Sequence, residues 1–320
     1  MKYSIGIDIG GTNSVFGLVD ENGLVIERRY LLTQKFTNID NFLQKIVQTI
    51  VNLIEYCESP NDVKGIGIGA PNANYFSGTI EHAPNLIFKG IIPIKDMIEK
   101  ELIALGYSQK VIITNDANAA AIGEMKYGGA KGLKDFMIIT LGTGVGSGIV
   151  VDGKLLYGND GFAGEIGHII VQPEGRLCGC GRKGCVETYS SVTGITKTAH
   201  ELLKTVKTPS VLRKIPKETI GGFSIHSAAL EGDKIALKCF DIAAKMLAIG
   251  LVNAVAITSP EKIFLFGGLT KTNDLLLKPL KQHFEENLFT VYKGKIEIEL
   301  SHLNENDSAL LGAAALVDYK

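Results

Sequence analysis

Residues 2–12 read KYSIGIDIGGT, an apolar and largely β-branched run that ends in Gly10, Gly11 and Thr12. This pattern predicts a buried strand over Lys2–Ile9 followed by a tight turn. The chain then resumes as a second strand at Ser14–Val19 and turns again at Asn22-Gly23, a strong signal for a two-residue hairpin. The chain therefore opens with a strand, a glycine turn, a second strand and a hairpin.

The same plan recurs near the middle of the chain. Phe136–Leu141 is an apolar run that ends in Gly142, Thr143 and Gly144, resumes as a strand and turns at Asp152-Gly153. A repeated unit of this size predicts two similar halves that face each other; the alternative is that any strand-rich protein contains such pairs. Between and after the copies, segments with helical spacing alternate with short strands, which predicts an α/β architecture with sheets covered by helices.

Composition limits the classes of function. The chain has 320 residues, of which 45% are hydrophobic, enough for two domains with proper cores. Its 33 basic and 34 acidic residues nearly cancel, which argues against a nucleic-acid or anionic-membrane partner. No apolar run is expected to span a membrane, because the best candidate, Cys239–Ser259, is interrupted by Asp241, Lys245 and Asn253. Five clustered cysteines without a leader indicate a cytoplasmic protein.

A cysteine cluster is the strongest chemical signal in the chain. Cys178, Cys180 and Cys185 lie within eight positions, and His168 precedes the first of them by ten residues. Three thiolates and one imidazole are the donor set of a closed tetrahedral zinc site, and nearby glycines permit its tight turns. The alternative is a set of loose thiols beside a core histidine. We favour zinc with a structural role, because four protein donors leave no open coordination position.

Two carboxylates flank this cluster. Glu165 and Glu187 are not needed as zinc ligands, and both lie close in sequence to the cluster. If one ring nitrogen of His168 binds the metal, the other is fixed in tautomer and direction and remains available. A histidine and two carboxylates are suited to bind vicinal hydroxyls, as in a sugar.

The two glycine turns indicate phosphate binding. Their backbone N–H groups can approach phosphate oxygens closely, and the threonine in each turn adds a hydroxyl donor. One such turn is weak evidence, but two in equivalent places suit the β- and γ-phosphates of a nucleotide. The chain contains no P-loop motif.

Acidic residues at two strand ends leave two interpretations open. Asp8 lies among apolar neighbours and is either a buried, hydrogen-bonded aspartate or a ligand of Mg²⁺, directly or through water. Asn115-Asp116-Ala117-Asn118 follows a strand and opens a helix. These residues either cap that helix, which the pattern alone favours, or provide a carboxylate that accepts a proton from a substrate hydroxyl.

At this level of detail the chain resembles the sugar kinases of the ROK family over nearly its whole length. The matching motifs are Asp8-Ile-Gly-Gly-Thr12, Gly69-Ala-Pro71, Asn85-Leu86, Asn115-Asp116-Ala-Asn118, Leu141-Gly-Thr-Gly144, Glu165-Ile-Gly-His168, the block from Cys178 to Glu187, and Gly267-Gly268. The cysteine block is specific to this family, whereas the glycine motifs are shared with the broader actin-like and hexokinase superfamily.

The resemblance implies a fold: the two-domain actin-like ATPase (ribonuclease H-like) fold with an interdomain cleft. Residues 1–117 and 304–320 would form the N-terminal domain, to which the last helix returns, and residues 118–303 would form the C-terminal domain with the zinc-binding loop.

It also implies roles for individual residues. Asp116 would be the base that takes the proton from the sugar hydroxyl, and His168, Cys178, Cys180 and Cys185 would bind zinc. The implied sugar-binding residues are Gly69, Ala70, Pro71, Asn85, Asn115, Asp116, Glu165, His168 and Glu187. The implied ATP-binding residues are Asp8, Gly10, Gly11, Thr12, Gly142, Thr143, Gly144, Gly267 and Gly268.

The activity expected from the resemblance is that of a hexose kinase that uses ATP and Mg²⁺, with the 6-hydroxyl of glucose as the first choice of acceptor. The alternatives are an N-acetylhexosamine, mannose or fructose kinase, or a sugar-sensing regulator without catalysis. The partners would be a hexose, ATP and a second copy of the chain in a homodimer. Two positions depart from the family pattern: Asn72 replaces a usual glycine, and Phe88 stands where a tryptophan is common.

Overall fold

The computed structural model describes residues 1–304 and 307–319. Residues 305, 306 and 320, which belong to the predicted domain segment 304–320, lie outside the described part. By its contacts the chain divides into two compact units. Unit 1 comprises Met1–Leu133, Gly148–Gly164 and Ser301–Lys320, and unit 2 comprises Lys134–Ser147 and Glu165–Leu300.

Strands and helices alternate along the chain, as predicted. The strands are β1 (Tyr3–Ile9), β2 (Ser14–Asp20), β3 (Val25–Leu31), β4 (Val63–Ala70), β5 (Ala73–Asn74), β6 (Thr79–Glu81), β7 (Ile91–Ile92), β8 (Val111–Asn115), β9 (Phe136–Leu141), β10 (Val145–Val151), β11 (Lys154–Leu155), β12 (Lys262–Phe266) and β13 (Glu297–Leu300). The helices are α1 (Ile39–Ile54), α2 (Ile94–Ala104), α3 (Asp116–Tyr127), α4 (Glu187–Ser190), α5 (Val192–Thr205), α6 (Gly222–Leu230), α7 (Lys234–Thr258), α8 (Asp274–Asn287) and α9 (Ser308–Ala315).

The first large sheet has the strand order β3-β2-β1-β4-β8. β1 is antiparallel to β2 and parallel to β4, and β4 is parallel to β8. Asp8 pairs with Gly69, which in turn pairs with Thr114, the residue before Asn115. Because parallel strands end at the same sheet edge, the register brings the carboxyl ends of β1, β4 and β8 side by side.

The second large sheet has the order β11-β10-β9-β12-β13. Its β12 is parallel to both β9 and β13, and its β10 is antiparallel to β11. Each sheet therefore has a hairpin on one side of its central strand and parallel strands on the other. The repeat read from the sequence is a repeat of strand order, with one glycine turn after β1 and the other after β9.

A small third sheet and one helix were not predicted. The strands of this sheet are only two or three residues long, with the order β5-β6-β7. Segments this short carry no readable alternation. The helix is α6, whose few buried residues give little helical periodicity.

The core of unit 1 lies between its sheet and α1. Ile5 and Ile7 of β1 and Ile46 and Ile50 of α1 are completely buried. Each buried side chain of this size contributes about 1.5–3 kcal/mol relative to an exposed one. The Asn38 side chain caps α1 by accepting a hydrogen bond from the Asn41 N–H. The helix thus starts where its apolar stripe begins to face the sheet.

The contact-based division differs from the predicted domain boundary at residue 117. It assigns α3 to unit 1, together with Gly148–Gly164. The reason is the packing of α3 against α9: a Cβ on Gly123 would lie 2.8 Å from the Cα of Gly312. In addition, the buried Glu124 accepts hydrogen bonds from the Ser301 hydroxyl and the His302 N–H. A glycine that permits close helix packing gives no boundary signal in the sequence.

The longest helix is a core helix of unit 2. By length and composition alone α7 could cross a membrane, so the expectation that no segment reaches that length is corrected. Half of its most apolar window is buried, however. It packs against α4, α5, α6 and α8.

Candidate functional site

The edge where β1, β4 and β8 end carries the acidic residues of unit 1. Asn115 is the N-cap of α3, and its side chain accepts a hydrogen bond of 2.9 Å from the Ala117 N–H. Asp116 Oδ1 accepts from the same N–H at 2.8 Å. Asp116 Oδ2 has no hydrogen-bond partner among residues 1–304 and 307–319. Capping therefore accounts for Asn115 and leaves one oxygen of Asp116 uncommitted.

Electrostatics couples this aspartate to Asp8. Burial, together with the nearby charge of Asp116, raises the pKa of Asp8 to about 7. Burial also raises the pKa of Asp116, and the backbone N–H groups of Ala117 and of Asp116 itself counteract part of that rise. Asp116 retains an exposed surface, so water screens its carboxylate and its shift is smaller than full burial would produce. Two carboxylates at one sheet edge are a potential site for a cation or a proton.

The first glycine turn lies against Asn85. The Gly10 N–H donates to the Asn13 carbonyl at 3.0 Å, which closes the turn. A Cβ on Gly11 would overlap the Asn85 carbonyl oxygen, so only glycine fits there. Thr12 and Asn85 are both exposed. Unit 1 therefore brings the predicted phosphate turn and one predicted sugar-binding residue into contact.

The loop after β4 explains the first departure from the family pattern. Asn72 has φ = 51°, in the left-handed region that glycine adopts most easily and asparagine tolerates. Its side-chain amide donates to the Glu81 carbonyl at 3.0 Å, and its own carbonyl accepts from the Glu81 N–H. Asparagine thus replaces glycine without losing the backbone conformation, directly after Gly69, Ala70 and Pro71.

The second departure is a core residue. Phe88 is 7% exposed and stacks on Phe42, with ring centroids 5.2 Å apart and an interplanar angle of 25°. The expectation that position 88 lies near a sugar rim is not supported by this burial.

The predicted zinc ligands come together in unit 2. The donor atoms of His168, Cys178, Cys180 and Cys185 all lie within 4.8 Å of one another. His168 Nδ1 is 3.6 Å from Cys178 Sγ, and the sulfur atoms of Cys180 and Cys185 are 3.7 Å apart. Tetrahedral zinc with ordinary bond lengths requires about 3.6 Å between nitrogen and sulfur and about 3.8 Å between two sulfurs. We call these four residues the knuckle.

The backbone of the knuckle is a tight hairpin. The Cys178 N–H donates to the Arg182 carbonyl at 2.8 Å, and the Gly181 N–H donates to the Cys178 carbonyl at 3.0 Å. Gly181 and Gly184 have φ values of 85° and 79°, which explains the glycines between the cysteines. Because Nδ1 of His168 faces the sulfur atoms, its Nε2 is the nitrogen directed away from them.

The second glycine turn lies against Glu187. Glu187 Oε2 accepts a hydrogen bond of 3.1 Å from the Val145 N–H, and a Cβ on Gly144 would overlap this oxygen. Glu187 Oε1 is 3.8 Å from Cys178 Sγ. The carboxylate therefore lies between the turn and the knuckle.

The remaining predicted residues of unit 2 lie at its strand ends and in the loop before the knuckle. Gly267 has φ = 107°, and a Cβ there would lie 2.7 Å from the Leu141 carbonyl oxygen, so the Gly267-Gly268 loop lies beside the start of the second turn. Glu165 is exposed, and its carbonyl accepts from the His168 N–H at 3.0 Å.

Two residues that contact the second turn were not predicted. The Val192 N–H donates to the Gly142 carbonyl at 2.9 Å, and the Thr193 hydroxyl donates to the Thr143 carbonyl at 3.0 Å. Both lie fifty residues beyond the turn in sequence, and neither residue type carries a motif of its own.

Comparison with known proteins identifies the family. The model of the ROK family matches residues 4–320. The chain belongs to the ROK family. A relative from Halalkalibacterium halodurans named glucokinase is 37% identical, over 99% of this chain and 95% of its own length. A glucokinase from Thermotoga maritima is 31% identical, over 98% of this chain and 96% of its own length.

A solved ROK structure has the same fold. It is that of a ROK family glucokinase from Streptomyces griseus in complex with glucose and AMPPNP, with a TM-score of 0.80, 32% identity and 98% coverage of both chains. The predicted family and the two-domain α/β fold of the actin-like class are confirmed by these matches.

Proposed function

We propose that this ROK protein is an ATP-dependent glucokinase, which transfers the γ-phosphoryl group of ATP to the 6-hydroxyl of glucose. Relatives named glucokinase match nearly the whole chain, and a related structure is described as a complex with glucose and the ATP analogue AMPPNP. The observation in this chain that carries the proposal is Asp116, whose Oδ2 is uncommitted although Oδ1 is held by the Ala117 N–H.

Asp116 acts as the general base in this proposal. Phosphoryl transfer depends mainly on positioning and on neutralising charge, and its base needs only to accept the hydroxyl proton as the oxygen attacks. A single backbone hydrogen bond fixes the carboxylate direction and leaves the second oxygen for the sugar hydroxyl. The raised pKa of Asp116 makes it a better proton acceptor than an ordinary carboxylate.

The sugar is proposed to bind through polar groups contributed by several segments. Gly69, Ala70 and Pro71 supply a loop whose conformation is maintained by Asn72. The side-chain donors and acceptors are those of Asn85, Asn115, Glu165, His168 and Glu187. A hydroxyl-rich ligand requires such a set, because each buried sugar hydroxyl must keep a hydrogen-bond partner.

ATP is proposed to bind at the two glycine turns, where Gly10, Gly11, Thr12, Gly142, Thr143 and Gly144 present backbone and hydroxyl donors, and against Gly267-Gly268. Asp8 is proposed to hold Mg²⁺, directly or through water. Its carboxylate is raised in pKa by an adjacent carboxylate, and a divalent cation would relieve that repulsion. Mg²⁺ would bridge the phosphates and neutralise charge that develops on them.

The knuckle is proposed to hold a structural Zn²⁺. The donor set and the two printed separations fit a tetrahedral zinc ion. Bound zinc would fix the tautomer of His168 and thereby direct Nε2 as a donor or acceptor for a sugar hydroxyl. We further propose a cytoplasmic location, as expected for an enzyme that uses ATP and reduced cysteines, and a homodimeric state.

The experiment that tests the proposal is ADP release with Mg·ATP across glucose, mannose, fructose, N-acetylglucosamine and N-acetylmannosamine. We expect kcat/KM for glucose to exceed that for each other sugar by at least about tenfold, as one well-placed polar contact can provide. A clear preference for another sugar would keep the kinase and replace its substrate. No turnover with any sugar, in protein shown to contain zinc, would contradict the kinase assignment and favour the sugar-sensing regulator.

A further inference from the structure

The second glycine turn is held by a single short segment of unit 2. This segment, Cys185–Thr193, runs from the last knuckle cysteine through α4 to the start of α5. Its Val192 N–H and Thr193 hydroxyl donate to the carbonyls of Gly142 and Thr143, at 2.9 and 3.0 Å. Two consecutive turn carbonyls are thus bound by adjacent residues at one helix start.

The same segment also contacts the end of the turn. Glu187 Oε2 accepts from the Val145 N–H at 3.1 Å and lies where a Cβ on Gly144 would be. The Ser191 hydroxyl donates to the Glu187 carbonyl at 2.7 Å, which joins α4 to the N-cap of α5. Every residue from Gly142 to Val145 is therefore in contact with Cys185–Thr193.

Arg176 fastens this segment to the knuckle hairpin. Two residues before Cys178, its guanidinium donates to the carbonyls of Thr188 and Gly194 at 2.8 and 3.1 Å. It also pairs with Glu201 at 2.6 Å and lies over the Tyr189 ring, 4.5 Å from the centroid. Several planar contacts made by one largely buried guanidinium hold the hairpin and the segment in one arrangement.

We infer that Cys185–Thr193 positions the second glycine turn for the nucleotide phosphates and makes nucleotide affinity depend on the state of the knuckle, with Thr193 as a positioning residue. The inference rests on the proposed use of this turn for ATP. A carbonyl oxygen carries partial negative charge and would repel a phosphate. Donors that bind the Gly142 and Thr143 carbonyls from the side of α5 keep these oxygens away from the ligand and fix the orientation of the intervening amides.

Thr193 is suited to a clean test because it is exposed and its replacement leaves no cavity. Thr193→Val removes the hydroxyl donor and keeps the shape. We expect its affinity for Mg·AMPPNP, measured by calorimetry without sugar, to fall about 3- to 10-fold, the effect of one neutral hydrogen bond. Thr193→Ser should restore it. In the glucose assay, Thr193→Val should raise KM for ATP by a similar factor, with KM for glucose unchanged.

Thr196→Val is the matched control. Thr196 lies one turn further along α5, and its hydroxyl donates only within the helix, to the Val192 carbonyl at 2.8 Å. This variant should bind Mg·AMPPNP as the wild type does. Equal affinities in the wild type and Thr193→Val, or an equal loss in both valine variants, would overturn the inference.

The link to the knuckle has its own measurement. Wild-type protein treated with a zinc chelator should bind Mg·AMPPNP at least about threefold more weakly and regain its affinity when Zn²⁺ is added back. Unchanged affinity in metal-free, folded protein would overturn the coupling. If the wild type phosphorylates glucose while these affinities do not change, the inference fails alone. If glucose is not phosphorylated but AMPPNP affinity responds as expected, the proposed function fails alone.

Discussion

The turn after β1 and the turn after β9 occupy the same place in two sheets of the same order, but the residue before each turn differs in charge. Asp8 is the next-to-last residue of β1, and Thr140 is the next-to-last residue of β9. Thr140 is neutral, and its hydroxyl accepts a hydrogen bond of 3.2 Å from the Gly146 N–H. Asp8 instead carries a carboxyl whose pKa is raised to about 7 by burial and by Asp116.

This difference separates structural from chemical requirements. Because a threonine suffices before the second turn, the turn itself does not require a carboxylate. The unfavourable environment of Asp8 is therefore a cost in stability that the fold does not demand, which is typical of a functional group. In the proposed kinase the acidic chemistry belongs to the first sheet, and the second sheet contributes neutral donors and the knuckle.

The supports of the two turns differ as well. Gly11 lies against the backbone of Asn85, whereas Gly144 lies against the side chain of Glu187. The second turn therefore depends on side chains that single substitutions can remove, and the first depends on the course of the main chain.

The largest expected effect concerns the acidic edge of the first sheet. Asp116→Asn keeps the shape and an oxygen for the Ala117 N–H but removes the base. We expect kcat to fall by about 10³-fold, within the usual range for a general base, with the dissociation constant for glucose changed by less than about threefold. Steady-state kinetics and calorimetry check both values. Wild-type turnover in this variant would show that the charge difference between the sheets has no catalytic meaning.

The next largest effect concerns the knuckle, which only the second sheet's unit carries among the described residues. Cys180→Ser removes one of four donors, and we expect zinc content by atomic absorption to drop and KM for glucose to rise about 10- to 100-fold. Cys57→Ser, at a cysteine outside the cluster, is the control and should retain zinc. A metal-free Cys180→Ser protein with unchanged glucose kinetics would contradict the proposed role of His168.

A third prediction concerns stability and its pH dependence. Since the folded-state pKa of Asp8 is raised to about 7, the folded protein holds a proton there that the unfolded chain releases near pH 4. The free energy of unfolding therefore decreases as pH rises through this interval. Asp8→Asn cannot ionise and should be more stable than the wild type at pH 8, by on the order of 2 kcal/mol relative to the difference at pH 4.

Urea unfolding of both proteins at several pH values measures this effect. Thr140→Asn, at the equivalent position of the second sheet, introduces the same amide without removing a charge. It should leave the pH dependence of the wild type unchanged. Parallel stability curves for the wild type and Asp8→Asn would contradict the raised pKa.

The smallest expected effect lies in the loop after β4. Asn72→Gly keeps the left-handed conformation, and we expect it to change the free energy of unfolding by less than about 1 kcal/mol. Asn72→Val should destabilise the protein by about 2 kcal/mol, because a β-branched residue resists φ = 51° and the bond to Glu81 is lost. Thermal unfolding distinguishes the two variants. Equal melting temperatures would show that this loop does not require its backbone conformation.

Local patterns in the sequence predicted much of the molecule. The repeat of strand, turn and hairpin is visible because glycines and apolar runs recur within short windows. The knuckle is visible because three of its donors lie within eight residues. Asn115 and Asp116 could be located, but not separated into cap and candidate base, because that distinction depends on which oxygen the Ala117 N–H occupies.

Features that depend on distant packing were not predictable. The assignment of α3 to unit 1 follows from a contact between Gly123 and Gly312, nearly two hundred residues apart. The support of the second turn by Thr193 spans fifty residues. The conformation of Asn72 turned an apparent departure from the family pattern into a substitution that preserves the backbone.

The most direct test of the central claim is to identify the product by phosphorus and carbon NMR after incubating the wild-type protein with Mg·ATP and glucose. The account predicts glucose 6-phosphate and ADP in equal amounts, with no product from Asp116→Asn on the same timescale. Phosphate at another hydroxyl, free phosphate in place of a sugar phosphate, or equal product from the variant would contradict it.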